Sequence, residues 1–186
     1  MNKIKLALLD MNNNHANQGM KNIREISQQF KETSAENVEI TVFDVRYKNE
    51  MPNVEEFDIF ISSGGPGNPH REGYEWEQKF ADFLDEVWEH NKNSEQKKFL
   101  FLICHSFQLA SIHWKLGNIC KRKSYSFGVM PIHKTYQGEN DFLLKNLPEP
   151  FYAVDSRAYQ FIEPDHKKLD QMGMKIVGLE KVRPHI

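Results

Sequence analysis

The chain is poor in cysteine, in long apolar runs and in net charge, and each shortage excludes a class of protein. Its 186 residues include two cysteines, so we expect no disulfide framework and a reducing compartment. No apolar run approaches the ~20 residues that span a membrane. The first residues lead directly into a strand pattern instead of a signal-peptide core. The sequence therefore predicts a cytoplasmic protein with no membrane partner.

The charge pattern does not favour a nucleic-acid partner. A formal net charge of -2 gives no general attraction to a phosphate backbone. The one dense basic cluster, Lys121–Lys123, is typical of a solvated loop. The histidines lack the spacing of metal ligands, and we expect neither a metal ion nor a cofactor.

Strand and helix patterns alternate through the first two thirds of the chain. They predict strands at 4–9, 38–45, 57–62 and 98–104, helices at about 18–31, 74–90 and 105–116, and weaker strands near 128–134, 151–155 and 174–179. Without repeats or a linker, this pattern predicts one α/β domain over residues 1–186, a three-layer, doubly wound, mostly parallel sheet. The run at 98–104 is apolar on both faces, which indicates a central strand.

Cys104 lies where this run stops and a helical pattern begins. A nucleophile on such a sharp turn projects from the backbone toward substrate, and the N-terminus of the following helix favours a thiolate. The backbone N–H of His105 would then be placed to stabilise an oxyanion. A buried structural cysteine is the alternative interpretation of this segment alone.

A second polar segment follows the preceding strand. Gly64, Gly65, Pro66 and Gly67 form a turn, called here the glycine turn, after the run that ends near Ser62. Glycine permits positive φ and a close approach of backbone to a ligand. Because ligands bind at the carboxyl ends of parallel strands, we expect the glycine turn to share a crevice with the cysteine.

The two segments together resemble those of class I glutamine amidotransferases. Ile61–Pro69 resembles their oxyanion loop, and Leu102–Ala110 resembles their nucleophile elbow, usually written Gly-x-Cys-x-Gly-x-Gln. Leu116–Asn118, Phe127–Pro131 and Val154–Arg157 are similar to later family segments, so the resemblance covers nearly the whole chain. It implies a flavodoxin-like fold.

Carried over residue by residue, the resemblance implies a glutaminase. Cys104 would attack the side-chain amide of glutamine and release ammonia to an unidentified acceptor or a separate synthetase. The backbone groups of Gly65 and His105 would hold the oxyanion. The residues that would seat glutamine are Gly64, Gly67, Gln108, Ser156 and Arg157.

The chain departs from the family pattern in two places. Leu102 and Ser106 replace the elbow glycines, which predicts a wider elbow or an altered pocket. No His-x-Glu pair follows Cys104, and His185 near the end has no acidic partner. Because that histidine acts as general base and acid in the family, we expect either a domain without its C-terminal portion or a scaffold without its base.

Two alternatives stay open. The adjacency of Cys104 and His105 is similar to the PfpI family of cysteine hydrolases and chaperones, which share the fold. The glycine turn and Gln108 favour the amidotransferase interpretation. A catalytically silent binding module is the second alternative.

Overall fold

The chain divides into two compact units, Met1–Ala110 and Ser111–Ile186, and the computed structural model describes residues 3–180. Within residues 3–180, no helix is both long enough and apolar enough to cross a membrane. The elements that begin in the first unit are β1 (Lys3–Asp10), α1 (Gln18–Thr33), β2 (Asn37–Asp44), a 3-10 turn (Val54–Glu56), β3 (Ile59–Ser62), α2 (Glu75–Asn93), β4 (Phe99–Leu102) and α3 (His105–His113).

The first unit is built on a parallel sheet in the order β2-β1-β3-β4. Met20 of α1 packs on Leu6 and Leu8, which point to one face of the sheet. Phe83 of α2 meets Phe60, whose ring centroid lies 5.2 Å away on the other face. Helices therefore cover both faces, and the predicted three-layer α/β architecture with a mostly parallel sheet is confirmed.

The expectation that the run at 98–104 forms a central strand is wrong for the described residues. Among residues 3–180, β4 pairs only with β3 and ends the sheet order. Phe99 and Phe101 are 65% and 56% exposed, although they lie in register with Ile59 and Ile61 on the neighbouring strand. A run of apolar side chains indicates a strand with apolar surroundings, but the number of strands that flank it depends on distant parts of the chain.

The second unit is antiparallel. It contains β5 (Asn118–Lys134), α4 (Tyr136–Glu139), β6 (Phe151–Ile162), α5 (His166–Gln171) and β7 (Gly178–Leu179), with the strands in the order β6-β5-β7. The weaker candidates near 128–134 and 151–155 are therefore strands and are longer than predicted, whereas of the candidate near 174–179 only Gly178–Leu179 is a strand.

The basic cluster Lys121–Lys123 is not a loop, which corrects the sequence-based expectation. It lies within β5, where Arg122 is buried and its Nη2 atom lies 2.9 Å from Glu180 Oε1. Because successive side chains of a strand point to opposite faces, Lys121 and Lys123 stay exposed. The carboxylate that neutralises Arg122 lies 58 residues later in the chain, so the sequence around Arg122 does not reveal this ion pair.

Candidate active site

Cys104 lies on a sharp turn between β4 and α3. β4 ends at Leu102 and α3 begins at His105, and Cys104 between them has φ of 51°. That left-handed conformation is costly for a residue with a Cβ atom. The side chain is exposed and makes no disulfide. The structure thus places the cysteine on an elbow, as the sequence predicted.

The N-terminus of α3 lies next to the cysteine. The N–H of Ser106 bonds the carbonyl of Ile103, and the N–H of Gln108 bonds the carbonyl of Cys104 itself. His105 is the first helical residue, so its N–H has no partner within the helix. This end of the helix therefore offers a donor and a partial positive charge beside the sulfur.

The glycine turn adjoins the same elbow. Its strand and that of the cysteine end side by side, with Ser62 in register with Leu102. A Cβ atom at Gly65 would overlap the carbonyl oxygen of Met11, so only glycine fits there. Gly67 has φ of 106°, which a side chain would strain. Gly65 thus allows the turn to approach Met11, which directly follows β1, and Gly67 allows the conformation of the turn itself.

Arg46 contacts the glycine turn, and the sequence did not predict it as a site residue. Its Nη1 atom donates to the carbonyls of Pro66 and, at 3.3 Å, of Met11. Its guanidinium lies 4.8 Å from the ring centroid of Trp76. Burial lowers the pKa of Arg46 from its ordinary value, and the charges of nearby carboxylates oppose that shift. A single arginine after a strand carries no sequence signal for this role.

Ser106 occupies a position that is glycine in the Gly-x-Cys-x-Gly-x-Gln pattern of the family elbow. It is fully buried, and its hydroxyl donates to the carbonyl of Ser63 at 2.6 Å. Its oxygen lies 2.7 Å from the hydroxyl oxygen of Ser62, which therefore donates to it. The serine thus ties the first turn of α3 to the start of the glycine turn.

His105 is buried and is not placed as a base for the cysteine. Its side chain is 2% exposed and its ring centroid lies 6.5 Å from that of Trp76. Burial, followed by the charge of Arg46, lowers the pKa of His105 to about 4. Its Nε2 atom has no hydrogen-bond partner among the described residues. The imidazole is therefore neutral and shielded at neutral pH.

The remaining predicted site residues fall in both units. Gln108 is buried on α3, one turn beyond the cysteine. Ser156 lies on β6 in the second unit, with its Oγ atom 2.8 Å from the hydroxyl oxygen of Tyr125. Arg157 pairs with Asp155 at 2.8 Å and with Glu180 at 2.6 Å, so its charge is compensated. A part for Ser156 and Arg157 in glutamine binding stays a prediction.

Comparison with known proteins shows the fold. No model of a known protein family matches the sequence, and no curated protein matches it. A glutamine amidotransferase from Thermotoga maritima has a TM-score of 0.65 at 17% identity, over 87% of this chain and 64% of that one. The glutaminase domain of Trypanosoma brucei CTPS with bound acivicin has a TM-score of 0.63 at 13% identity, over 96% and 75% of the two chains.

A glutamine amidotransferase from Methylobacillus flagellatus has a TM-score of 0.59 at 8% identity, over 86% of this chain and 57% of that one. The chain thus spans less than two thirds of the length of the Thermotoga and Methylobacillus proteins. At these identities the likeness concerns architecture, and it confirms that the chain has the flavodoxin-like fold of glutamine amidotransferases.

Proposed function

We propose that this chain is the glutaminase part of a class I glutamine amidotransferase. The observation that carries the proposal is the elbow. Cys104 has φ of 51° and is exposed at the N-terminus of α3, directly beside the glycine turn. Strained backbone of this kind is enriched at active sites, where the strain can be part of the mechanism.

The proposed chemistry is acyl transfer through a thioester. The thiolate of Cys104 attacks the side-chain amide carbon of glutamine, and the backbone N–H groups of Gly65 and His105 stabilise the oxyanion that forms. The carbon–nitrogen bond then breaks, and the nitrogen leaves as ammonia after it takes a proton. Water hydrolyses the thioester to glutamate and restores the thiol. Gly64, Gly67 and Gln108 seat the substrate, and a role for Ser156 and Arg157 stays a prediction from the family resemblance.

The partners belong to the same proposal. Structures of similar fold include two glutamine amidotransferases and a CTPS glutaminase domain. We propose that a synthetase or another acceptor protein uses the ammonia, and that residues 1–186 form one amidotransferase-like domain. The two cysteines lie in separate units and neither makes a disulfide, which supports a cytoplasmic location.

A base for the reaction is the missing part of the chemistry. No His-x-Glu pair follows Cys104 in the sequence. The adjacent His105 is buried, and its pKa is lowered to about 4, so it accepts a proton poorly at neutral pH. We therefore assign substrate recognition and nucleophilic attack to this chain.

Covalent labelling tests the proposal without requiring turnover. Acivicin resembles glutamine and carries a chloride that a thiolate displaces to give a stable thioether. We expect it to label Cys104 with one adduct per chain and glutamine to protect the thiol. Cys120, which is half-buried and lies 3.6 Å from Gln160 Nε2, is the control thiol in the same protein. Cys104→Ala should abolish labelling, and Cys120→Ala should leave it unchanged.

The outcomes separate the three candidate functions. Labelling of Cys104 that glutamine suppresses supports the amidotransferase. Labelling of Cys104 that ignores glutamine overturns it and supports a cysteine hydrolase of the PfpI type. Absence of labelling at Cys104, while iodoacetamide still modifies it, overturns it and supports a silent binding module.

A further inference from the structure

Three carbonyl groups around the glycine turn accept hydrogen bonds from side chains. Ser106 donates to the carbonyl of Ser63 at 2.6 Å. The hydroxyl of Ser63 in turn donates to the carbonyl of Gly64 at 2.8 Å. Arg46 donates to the carbonyl of Pro66 at the far end of the turn. We call these three side chains, Ser63, Ser106 and Arg46, the carbonyl clamp.

The carbonyl clamp fixes the direction of three backbone donors. In a trans peptide the C=O and the N–H of the next residue point in opposite directions. Holding the carbonyls of the clamp therefore turns the N–H groups of Gly64, Gly65 and Gly67 away from their respective clamp donors. These are the glycines to which the proposed function assigns the oxyanion and the substrate.

Both serines of the clamp are buried and fully engaged. Ser63 is 2% exposed and also accepts from the N–H of Met11 at 2.9 Å. Ser106 has no exposed surface and accepts from the hydroxyl of Ser62, 2.7 Å away. A buried network in which every hydroxyl is paired favours one geometry over alternatives, because each lost partner leaves a buried polar group unsatisfied.

We propose that Ser106 and Arg46 are positioning residues that aim the backbone N–H groups of the glycine turn at the substrate of Cys104. They act on the reaction through the backbone of the turn and contact no reacting atom. The inference rests on the proposed function, and it gives Ser106 and Arg46 a role that the resemblance to the family does not assign to them. In the family elbow the position of Ser106 is a glycine, which has no hydroxyl to donate.

The test compares labelling by two electrophiles and adds one structural measurement that does not depend on the proposed function. Rate constants for labelling of Cys104 are measured with acivicin, which needs the aimed donors, and with iodoacetamide, which does not. Hydrogen–deuterium exchange follows the backbone of residues 61–68 in the same proteins. The variants are Ser106→Ala, Ser106→Gly, Arg46→Met and Arg46→Lys. Ser27→Ala removes another buried serine, and Arg24→Met removes another arginine of the first unit.

We expect Ser106→Ala, Ser106→Gly and Arg46→Met to slow acivicin labelling about 10-fold or more, since misdirected oxyanion donors cost this much or more. Iodoacetamide labelling should stay within about two-fold, because the elbow keeps the thiol exposed. Exchange over residues 61–68 should become about 10-fold faster, because the lost hydrogen bonds let the turn open. The Arg46→Lys protein should show labelling and exchange rates between those of the parent and the Arg46→Met protein, since lysine keeps the charge without the planar guanidinium.

Each result supports or overturns the inference. If labelling by both electrophiles slows equally, the substitutions damage the fold in general and the inference is overturned. The inference is also overturned if the clamp variants show the same exchange and labelling rates as the Ser27→Ala and Arg24→Met controls. Ser106→Gly keeps the test decisive where Ser106→Ala folds poorly, because glycine restores the smaller residue of the family elbow. Where glutamine fails to protect the parent protein, the proposed function fails, and the exchange measurement still decides whether the clamp holds the turn.

Discussion

Gly64 faces Cys104 with little room for a side chain: a methyl group at Gly64 would lie 3.3 Å from the Cβ atom of Cys104 and 4.0 Å from its sulfur. That spacing is tight enough that Gly64→Ala must displace either the turn or the thiol. We expect the variant to slow acivicin labelling about 10-fold or more, because small shifts of a reacting group are costly. The measurement is the ratio of acivicin to iodoacetamide rate constants. An unchanged ratio would show that the turn does not meet the substrate.

The buried imidazole of His105 should make the fold sensitive to acid. Its folded-state pKa is about 4, against an ordinary value of 6.5 in the unfolded chain. Between these values the unfolded state binds the proton and the folded state does not, so the free energy of unfolding falls as the pH falls. The contribution of this group is present in full above pH 6.5 and decreases by up to about 1.4 kcal/mol per pH unit inside the window.

Urea denaturation at several pH values between about 7.5 and 4.5 measures this effect. We expect His105→Gln to flatten the dependence, although it lowers stability at neutral pH. His15→Gln changes an exposed histidine and serves as the control. A parent protein and a His105→Gln protein with parallel curves would contradict the prediction.

Replacing the strained cysteine by glycine should stabilise the fold. Cys104 has φ of 51°, and a left-handed conformation costs roughly 1 kcal/mol for a residue with a Cβ atom. The side chain is exposed, so little packing is lost. We expect Cys104→Gly to raise the free energy of unfolding by about 1 kcal/mol and Cys104→Ala to leave it nearly unchanged. Equal stability of the two variants would show that the elbow is not strained.

Glutamine turnover by the chain of 186 residues should be poor or absent. General acid–base assistance contributes about 10²–10⁴-fold, and the thioester also needs an activated water. Release of ammonia from glutamine, compared with the Cys104→Ala protein, measures the activity. Robust turnover that disappears in the variant would mean that another histidine is the base. His133 and His166 would then be replaced in turn, followed by His185, which lies outside the described residues.

Local patterns predicted most of the first unit. The alternating β-branched residues of β2 and the apolar face of α2 are signals contained within one element, and both elements form nearly as expected. The position of Cys104 followed from the same kind of signal, because an apolar run that ends at a cysteine marks the end of a strand. The edge position of β4 did not follow, since the pairing of a strand depends on residues distant in sequence.

The polar contacts of the site were not predictable from the sequence. Ser106 appeared as a departure from a glycine pattern, and only its burial against the carbonyl of Ser63 shows what the hydroxyl does. Arg46 meets Pro66 across 20 residues of chain, so no motif connects them. The neutral state of His105 depends on burial and on the charge of Arg46, which a sequence adjacency does not reveal.

The left-handed backbone at Cys104 has a consequence for how this elbow changes over evolutionary time. A single nucleotide separates the codons of cysteine and glycine, and that substitution would relieve the conformational cost at this position. Because most proteins sit close to the stability that they need, a lineage that no longer used the thiol would gain from this change and lose nothing. The residue at this position in related proteins therefore indicates whether the thiol is used. A cysteine that is retained despite its cost in stability indicates selection for the thiol, and a glycine indicates that the thiol is no longer needed.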